Sequence, residues 1–144
     1  MNLCSERLSE RELTELCEAA FRGLGLPATD AAEVARVLVL ADLFGLSTHG
    51  VSRIESYGER LEVGGINPRA EIRIETLAPV LARVNGDNAV GPLVGMRALN
   101  TAMDMARNFG VGVALVRQSN HFGPISPYGF LAAEAGFASI IGSN

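Results

Sequence analysis

The stretch "LVGMRALNTAMDMARNFGVGVALVRQSNHF", residues 93–122, joins a predicted helix, a predicted strand and a histidine-bearing loop. Its first part repeats apolar residues at helical spacing and runs to Gly110, a residue type that commonly ends a helix. The segment "VGVALVRQ" is apolar and rich in valine, which predicts a buried strand. The polar loop "SNHFGP" follows at the end of that strand, where α/β proteins often place their sites.

The residues after this loop continue the alternation. "PYGFLAAEAG" predicts a helix and "FASIIGSN" predicts another strand. A strand, a helix and a strand in that order predict a βαβ unit with a right-handed crossover. The predicted fold class is therefore α/β, or α+β overall, with a mixed sheet. The glycines lack the GxGxxG spacing of a Rossmann site.

The residues before the stretch predict three helices and then two short strands joined at Ala78-Pro79. We therefore expect a helical lobe at 1–65 and the start of a mixed α/β domain at 66–144. The predicted helix caps are a capping box of Ser9 with Glu12, a second of Asp30 with Glu33, and Ser47 or Thr48 for the third helix.

Composition limits the possible partners. Hydrophobic residues make up 48% of the 144 residues, charged residues 19%, and the mean hydropathy is +0.23. So much apolar surface predicts burial by a partner subunit or by further sequence. The net charge of −4 and the absence of a basic run argue against nucleic acid, and charges interrupt the longest apolar run, so no membrane span is predicted.

Two cysteines and a polar N-terminus predict reduced thiols and a cytoplasmic location. No cysteine or histidine cluster has the spacing of a metal site. Because Asn144 follows an apolar segment directly, we expect the sequence to be interrupted before a site-bearing loop.

One row of polar residues in "STHGVSRIESY" could bind a small anion. His49, Arg53 and Tyr57 follow one another at spacings of four, which places them on one helical face at the start of the predicted third helix. A helix N-terminus favours anions, and an arginine fork can hold a carboxylate through two parallel hydrogen bonds. The alternative is a solvated helix face in which the three side chains have no shared role.

His121 is the other histidine and lies on the loop after the predicted strand. A loop at the end of a strand is a common position for catalytic residues, although a single loop histidine is more often structural. Either histidine could transfer a proton near neutral pH.

Taken together, "ADLFGLSTHGVSRIESY", "GGINPR", "NGDNAVG", "GVGVALVRQSNHFGP" and "AAEAGFASIIGSN" resemble the type-2 malate/L-lactate dehydrogenase family. That resemblance implies an oxidoreductase that transfers hydride between NAD or NADP and a small 2-hydroxy or 2-oxo carboxylic acid. It also implies a non-Rossmann nucleotide fold and a homodimer with the pocket near the subunit interface.

The resemblance assigns roles to six residues. His49 and His121 match the two active-site histidines, and which of them is the acid/base stays open. Thr48, Arg53 and Tyr57 match substrate-binding positions, with Arg53 on the carboxylate, and Asn144 matches a cofactor-binding element. Thr48 replaces the usual serine. Because family chains are more than twice as long, a noncatalytic binding or assembly module is the alternative function.

Overall fold

The computed structural model describes residues 7–143. Within this range the chain forms a mixed α/β fold, which confirms the predicted class. Its elements are α1 (Glu10–Gly23), α2 (Ala28–Leu43), a 3₁₀ turn (Ser47–His49), α3 (Arg53–Glu62), β1 (Arg73–Ala78), β2 (Leu81–Ala89), α4 (Gly91–Phe109), β3 (Val113–Ser119) and α5 (Ser126–Glu134).

The first helix begins as predicted, whereas the second does not. Ser9 accepts a hydrogen bond from the Glu12 N–H, and the Glu12 side chain accepts one from the Ser9 N–H, so the first capping box is confirmed. The predicted box of Asp30 with Glu33 is wrong. The N-cap of α2 is Pro27, which makes no side-chain cap bond, and the helix starts at Ala28, two residues before Asp30.

The third helix also starts later than predicted. Ser47 and Thr48 do not cap it, because they lie in a separate 3₁₀ turn that ends at His49. The N-cap is Ser52, whose hydroxyl donates to the Ser47 carbonyl instead of capping α3. The N–H groups of Arg53 and Ile54 donate to carbonyls of the preceding turn, so the first donors of α3 are already paired.

The sheet has the order β1-β2-β3, with β1 antiparallel and β3 parallel to β2. The turn at residues 79–80 confirms the predicted junction of the first two strands. The βαβ unit is β2-α4-β3, which is earlier than predicted. The strand expected from "FASIIGSN" is wrong over its described part, since residues 137–143 pair with no strand.

The prediction that "VGVALVRQ" is a buried strand is only half correct. A strand forms there, but Leu115 is 55% exposed and Val116 is 45% exposed. β3 pairs with β2 along one edge only, so within residues 7–143 no strand covers its other edge.

One buried cluster joins the helices to the sheet. It contains Phe21 of α1, Leu38 of α2, Tyr57 of α3, Val84 of β2 and Val94 of α4. Because these elements share a core, their relative positions fix the loops at their ends. The domain division at residue 65 stays a prediction. Among residues 7–143, no helix has the length and apolarity to cross a membrane.

Candidate active site

The turn that carries His49 is attached to the end of α2. The Asp42 carboxylate accepts a hydrogen bond of 2.7 Å from the Val51 N–H. A Cβ atom on Gly50 would lie 2.3 Å from the same carboxylate, so only glycine allows this approach. A single acidic side chain of an apolar helix thus holds the turn between Thr48 and α3.

Thr48 links the first two predicted site residues. Its hydroxyl lies 2.9 Å from His49 Nδ1, and its carbonyl accepts a 2.7 Å hydrogen bond from Arg53 Nε. Among the described residues, the two terminal nitrogens of the Arg53 guanidinium have no hydrogen-bond or ion-pair partner. The guanidinium is therefore held by one edge and has the other available for an anion.

Tyr57 brings His121 to this group from a distant part of the chain. The Tyr57 hydroxyl lies 2.8 Å from His121 Nδ1 and 3.1 Å from the His121 carbonyl oxygen. The ring centroids of His49 and His121 are 5.5 Å apart. Tyr57 is only 3% exposed, and its ring packs near Phe21, so this tyrosine reaches the loop from within the core.

Asn120 fixes the same loop from its other side. Its amide nitrogen donates to the carbonyls of Asn88 and Ala89 and to the Asn88 side-chain oxygen, at 2.9 to 3.1 Å. Its own oxygen accepts a 3.0 Å hydrogen bond from Arg60 of α3. Asn88 has a left-handed φ of 60° and lies in the irregularity between Asn85 and Ala89, just before the last pair of the β2–β3 ladder. This strained backbone turns its carbonyl toward Asn120.

The charges around the site favour a neutral histidine and a protonated tyrosine. Burial lowers the pKa of His121, and the nearby Arg53 and His49 lower it further. Burial raises the pKa of Tyr57 to about 12, although Arg53 opposes that rise. At neutral pH the group therefore combines an arginine cation with a neutral imidazole base and a phenol that keeps its proton.

The fold assembles five of the six predicted residues: Thr48, His49, Arg53, Tyr57 and His121. Asn144 lies outside the described residues. The predicted helix N-terminal field at His49 is wrong, because His49 precedes α3 and lies in the 3₁₀ turn. The polar groups of Thr48 and Tyr57 contact other protein atoms, so their roles as direct substrate ligands stay predictions.

Sequence reasoning missed four residues that support the site: Asp42, Arg60, Asn88 and Gly91. The spacing along the chain carried little signal, since Arg60 and Asn120 are 60 positions apart. The one usable signal was Asp42, a charged residue that follows the apolar run at 37–41 of α2.

The start of α4 is closed to a phosphate group. A Cβ atom on Gly91 would lie 2.2 Å from the His121 carbonyl oxygen and 2.4 Å from that of Asn120. The His121 loop thus occupies the position at the β2–α4 junction where many α/β proteins bind nucleotide phosphates. The loop therefore leaves no room for a phosphate group directly against Gly91. Residues 7–143 contain no group of three or more side chains suited to a metal ion.

Two grooves lie on the described surface. One, of about 440 Å³, runs along the outer side of α3 and includes Thr48 and Arg53 together with Glu55 and Glu59. A larger one, of about 660 Å³, lies between β1 and α4, and none of the predicted site residues lines it. Of the two grooves, the one along α3 is therefore the candidate for anion binding, since Thr48 and Arg53 line it.

Comparison with known proteins identifies the family. The profile of the malate/L-lactate dehydrogenase family matches residues 8–144. Malate dehydrogenase of Pyrococcus abyssi is 38% identical over 96% of this chain and 38% of its own length. Ureidoglycolate dehydrogenase (NAD(+)) of Escherichia coli K12 is 37% identical over 97% of this chain and 39% of its own length.

A solved structure agrees with these matches. Malate dehydrogenase from Pyrococcus horikoshii OT3 superposes with a TM-score of 0.86 and 36% identity, over 91% of this chain and 38% of that one. The chain therefore belongs to the malate/L-lactate dehydrogenase family. It spans about 38% of the length of these malate dehydrogenases.

Proposed function

We propose that this member of the malate/L-lactate dehydrogenase family carries the acid-binding and proton-transfer part of an oxidoreductase. The proposed substrate is a small 2-hydroxy or 2-oxo carboxylic acid, and the proposed cofactor is NAD or NADP. The names of the relatives support this class, since malate and lactate both carry a hydroxyl group next to a carboxylate.

The observation that carries the proposal is the free edge of Arg53. Thr48 holds Nε and leaves both terminal nitrogens unpaired among the described residues. A guanidinium fixed in this way loses little further freedom when it binds a carboxylate through two parallel hydrogen bonds. The chain has a net charge of −4, so an acidic ligand would bind through this local cation and not through the overall field.

The two histidines lie beside this cation and supply the proton function. We assign the acid/base role to His121, because its lowered pKa keeps the ring neutral at physiological pH. His49 would contact the bound acid and orient it, since Thr48 already holds its Nδ1. The nicotinamide would supply the hydride acceptor, and residues 7–143 show no cradle for it at the β2–α4 junction.

We also propose a homodimer. Large apolar side chains remain exposed just after α3, at the end of α4 and on β3, among them Val63 at 82%, Phe109 at 58% and Leu115 at 55%. Burial of such side chains is favourable at roughly 25 cal/mol per Å². A cytoplasmic location and the absence of nucleic-acid and membrane partners stay predictions.

The test is binding of malate and lactate to the 144-residue chain, followed through the NMR signals of its two histidines. Wild type should bind with shifts of the His49 and His121 signals. Arg53→Lys should weaken binding by about 10-fold to 100-fold, since a charge-assisted hydrogen bond contributes roughly 1.5–3 kcal/mol. Lysine keeps the charge and loses the fork.

Arg11→Lys is the matched control, because Arg11 pairs only with Glu15 on the exposed face of α1. It should bind as wild type does. Equal binding by wild type and Arg53→Lys would exclude the carboxylate role of Arg53. The assay can be repeated with the cofactor-binding segment of a relative added to this chain. If the acid then binds but is not oxidised, the noncatalytic binding or assembly module is favoured instead.

A further inference from the structure

We propose that Tyr57 is a positioning residue that holds His121 as the tautomer protonated on Nδ1, which makes Nε2 the atom that accepts the substrate's proton. The role of Nε2 as the proton acceptor rests on the proposed function. The tautomer of His121 concerns the protein alone and is tested without substrate.

The Tyr57 hydroxyl has a single proton and two hydrogen-bond neighbours on His121. Its oxygen lies 2.8 Å from His121 Nδ1 and 3.1 Å from the His121 carbonyl oxygen. A carbonyl only accepts hydrogen bonds, so the hydroxyl must donate its proton there to satisfy that contact. The hydroxyl oxygen then accepts the second bond, and Nδ1–H is its donor. The reverse assignment would leave the carbonyl and Nδ1 competing for one proton.

Burial makes the fully paired arrangement the stable one. Tyr57 is 3% exposed, and a buried polar group without a partner costs free energy. The pKa of Tyr57 is raised to about 12, so the hydroxyl keeps the proton that it donates. Burial lowers the pKa of His121, so the ring is neutral and has one N–H to place.

The His121 carbonyl is fixed at a position within hydrogen-bond distance of the Tyr57 hydroxyl. The loop backbone passes so close to α4 that a Cβ atom on Gly91 would lie 2.2 Å from the same carbonyl oxygen. Asn120, the preceding residue, is tied to the end of β2 by its amide nitrogen. The loop therefore has little freedom to rotate this carbonyl away and release the hydroxyl for Nδ1.

The tautomer decides what His121 can do. With the proton on Nδ1, Nε2 has a free lone pair. In the oxidation, the O–H bond of the substrate breaks and an Nε2–H bond forms. The oxygen's electron pair would become the second C–O bond, and a bound oxidised nicotinamide would supply the acceptor for the hydride of C2. The imidazolium that forms keeps its Nδ1–H bond to Tyr57. With the proton on Nε2, the ring could not accept a proton on that side.

The experiment uses ¹⁵N-histidine labelling of the 144-residue chain. Long-range ¹H–¹⁵N correlation spectra distinguish the two neutral tautomers, and the chain has two histidines, so the spectrum of His121→Gln assigns both. Wild-type His121 should carry its proton on Nδ1. Tyr57→Phe should shift the tautomer ratio toward Nε2–H by roughly 3-fold to 10-fold, the effect of one hydrogen bond.

Tyr128→Phe is the matched control. Tyr128 is the other tyrosine, it is 2% exposed, and its hydroxyl donates to the carbonyl of Phe122, next to His121. Its loss should leave the His121 tautomer unchanged. A wild-type His121 protonated on Nε2 would overturn the proposal even if Tyr57→Phe failed to fold. Failure of wild type to bind malate or lactate would instead overturn the proposed function, and the tautomer measurement would be unaffected.

Discussion

Replacing Gly91 with alanine should disturb the site through one methyl group. The new Cβ would lie 2.2 Å from the His121 carbonyl oxygen, whereas ordinary contact begins at 3.4 Å. Either the loop or the start of α4 must therefore retreat by about 1.2 Å, the difference between these distances. The same carbonyl accepts the 3.1 Å hydrogen bond from Tyr57, which a retreat of the loop by that distance would break.

The expected cost follows from these two effects. Overpacking a well-filled site typically costs about 1–3 kcal/mol, and the lost hydrogen bond adds roughly 1 kcal/mol. Alanine at the first position of α4 returns at most about 1 kcal/mol through its higher helix propensity. We expect a net loss of about 1–3 kcal/mol. For a domain of this size, each kcal/mol lowers Tm by about 2–4 °C.

Urea unfolding and thermal melts measure the stability, and the histidine spectra of the same samples report on the site. The matched control is Gly23→Ala, because a Cβ atom there would meet no atom within 4 Å. Gly23→Ala should be neutral or slightly stabilising. If Gly91→Ala melts with wild type and leaves the His121 signals in place, the loop is not held against α4 and the reasoning fails.

The remaining predictions concern pH, association and activity. The pKa of His121 is lowered in the folded chain, so the unfolded chain binds more protons as pH falls through about 6.5. The free energy of unfolding should therefore fall on acidification through that window, and His121→Gln should flatten the urea-midpoint profile; an unchanged slope would contradict the lowered pKa. Sedimentation of the isolated chain at micromolar concentration should show dimers or larger species, and a stable monomer would count against apolar burial by a partner. The chain alone should show no oxidation of malate or lactate by NAD or NADP, and steady NADH or NADPH formation would contradict this.

Sequence patterns located the elements that end in glycine or proline and misjudged several of the others. The stop of α4 at Gly110 was predictable, since that residue adopts a left-handed φ of 81°. The predicted caps of α2 and α3 were wrong, because Asp30 lies inside α2 and Ser47 and Thr48 lie in the 3₁₀ turn before α3. Asp30 pairs with Arg97 of α4, which is 67 positions away. A local cap and a tertiary partner compete for the same side chain, and the sequence alone does not show which one wins.

The same limit applied to the site. The spacing of His49, Arg53 and Tyr57 suggested one helical face, yet only Arg53 and Tyr57 belong to α3. His49 still joins the group because Thr48 connects it to Arg53. The Thr48 hydroxyl contacts the His49 ring, and the Thr48 carbonyl accepts a hydrogen bond from Arg53. The burial of β3 was misjudged for another reason: an apolar strand becomes buried only if other elements cover it, and no pattern within the strand specifies that cover.

The helices before the sheet give an exposed histidine its fixed position. His121 lies on a loop, and loops of this kind are usually mobile. Here its ring and carbonyl contact Tyr57 of α3, its neighbour Asn120 contacts the end of β2, and its backbone lies against Gly91 at the start of α4. These three elements meet in one buried cluster. A cavity made beneath Tyr57, for instance at Phe21, would therefore loosen the histidine without touching it, because the tyrosine that orients its ring is itself oriented by the core.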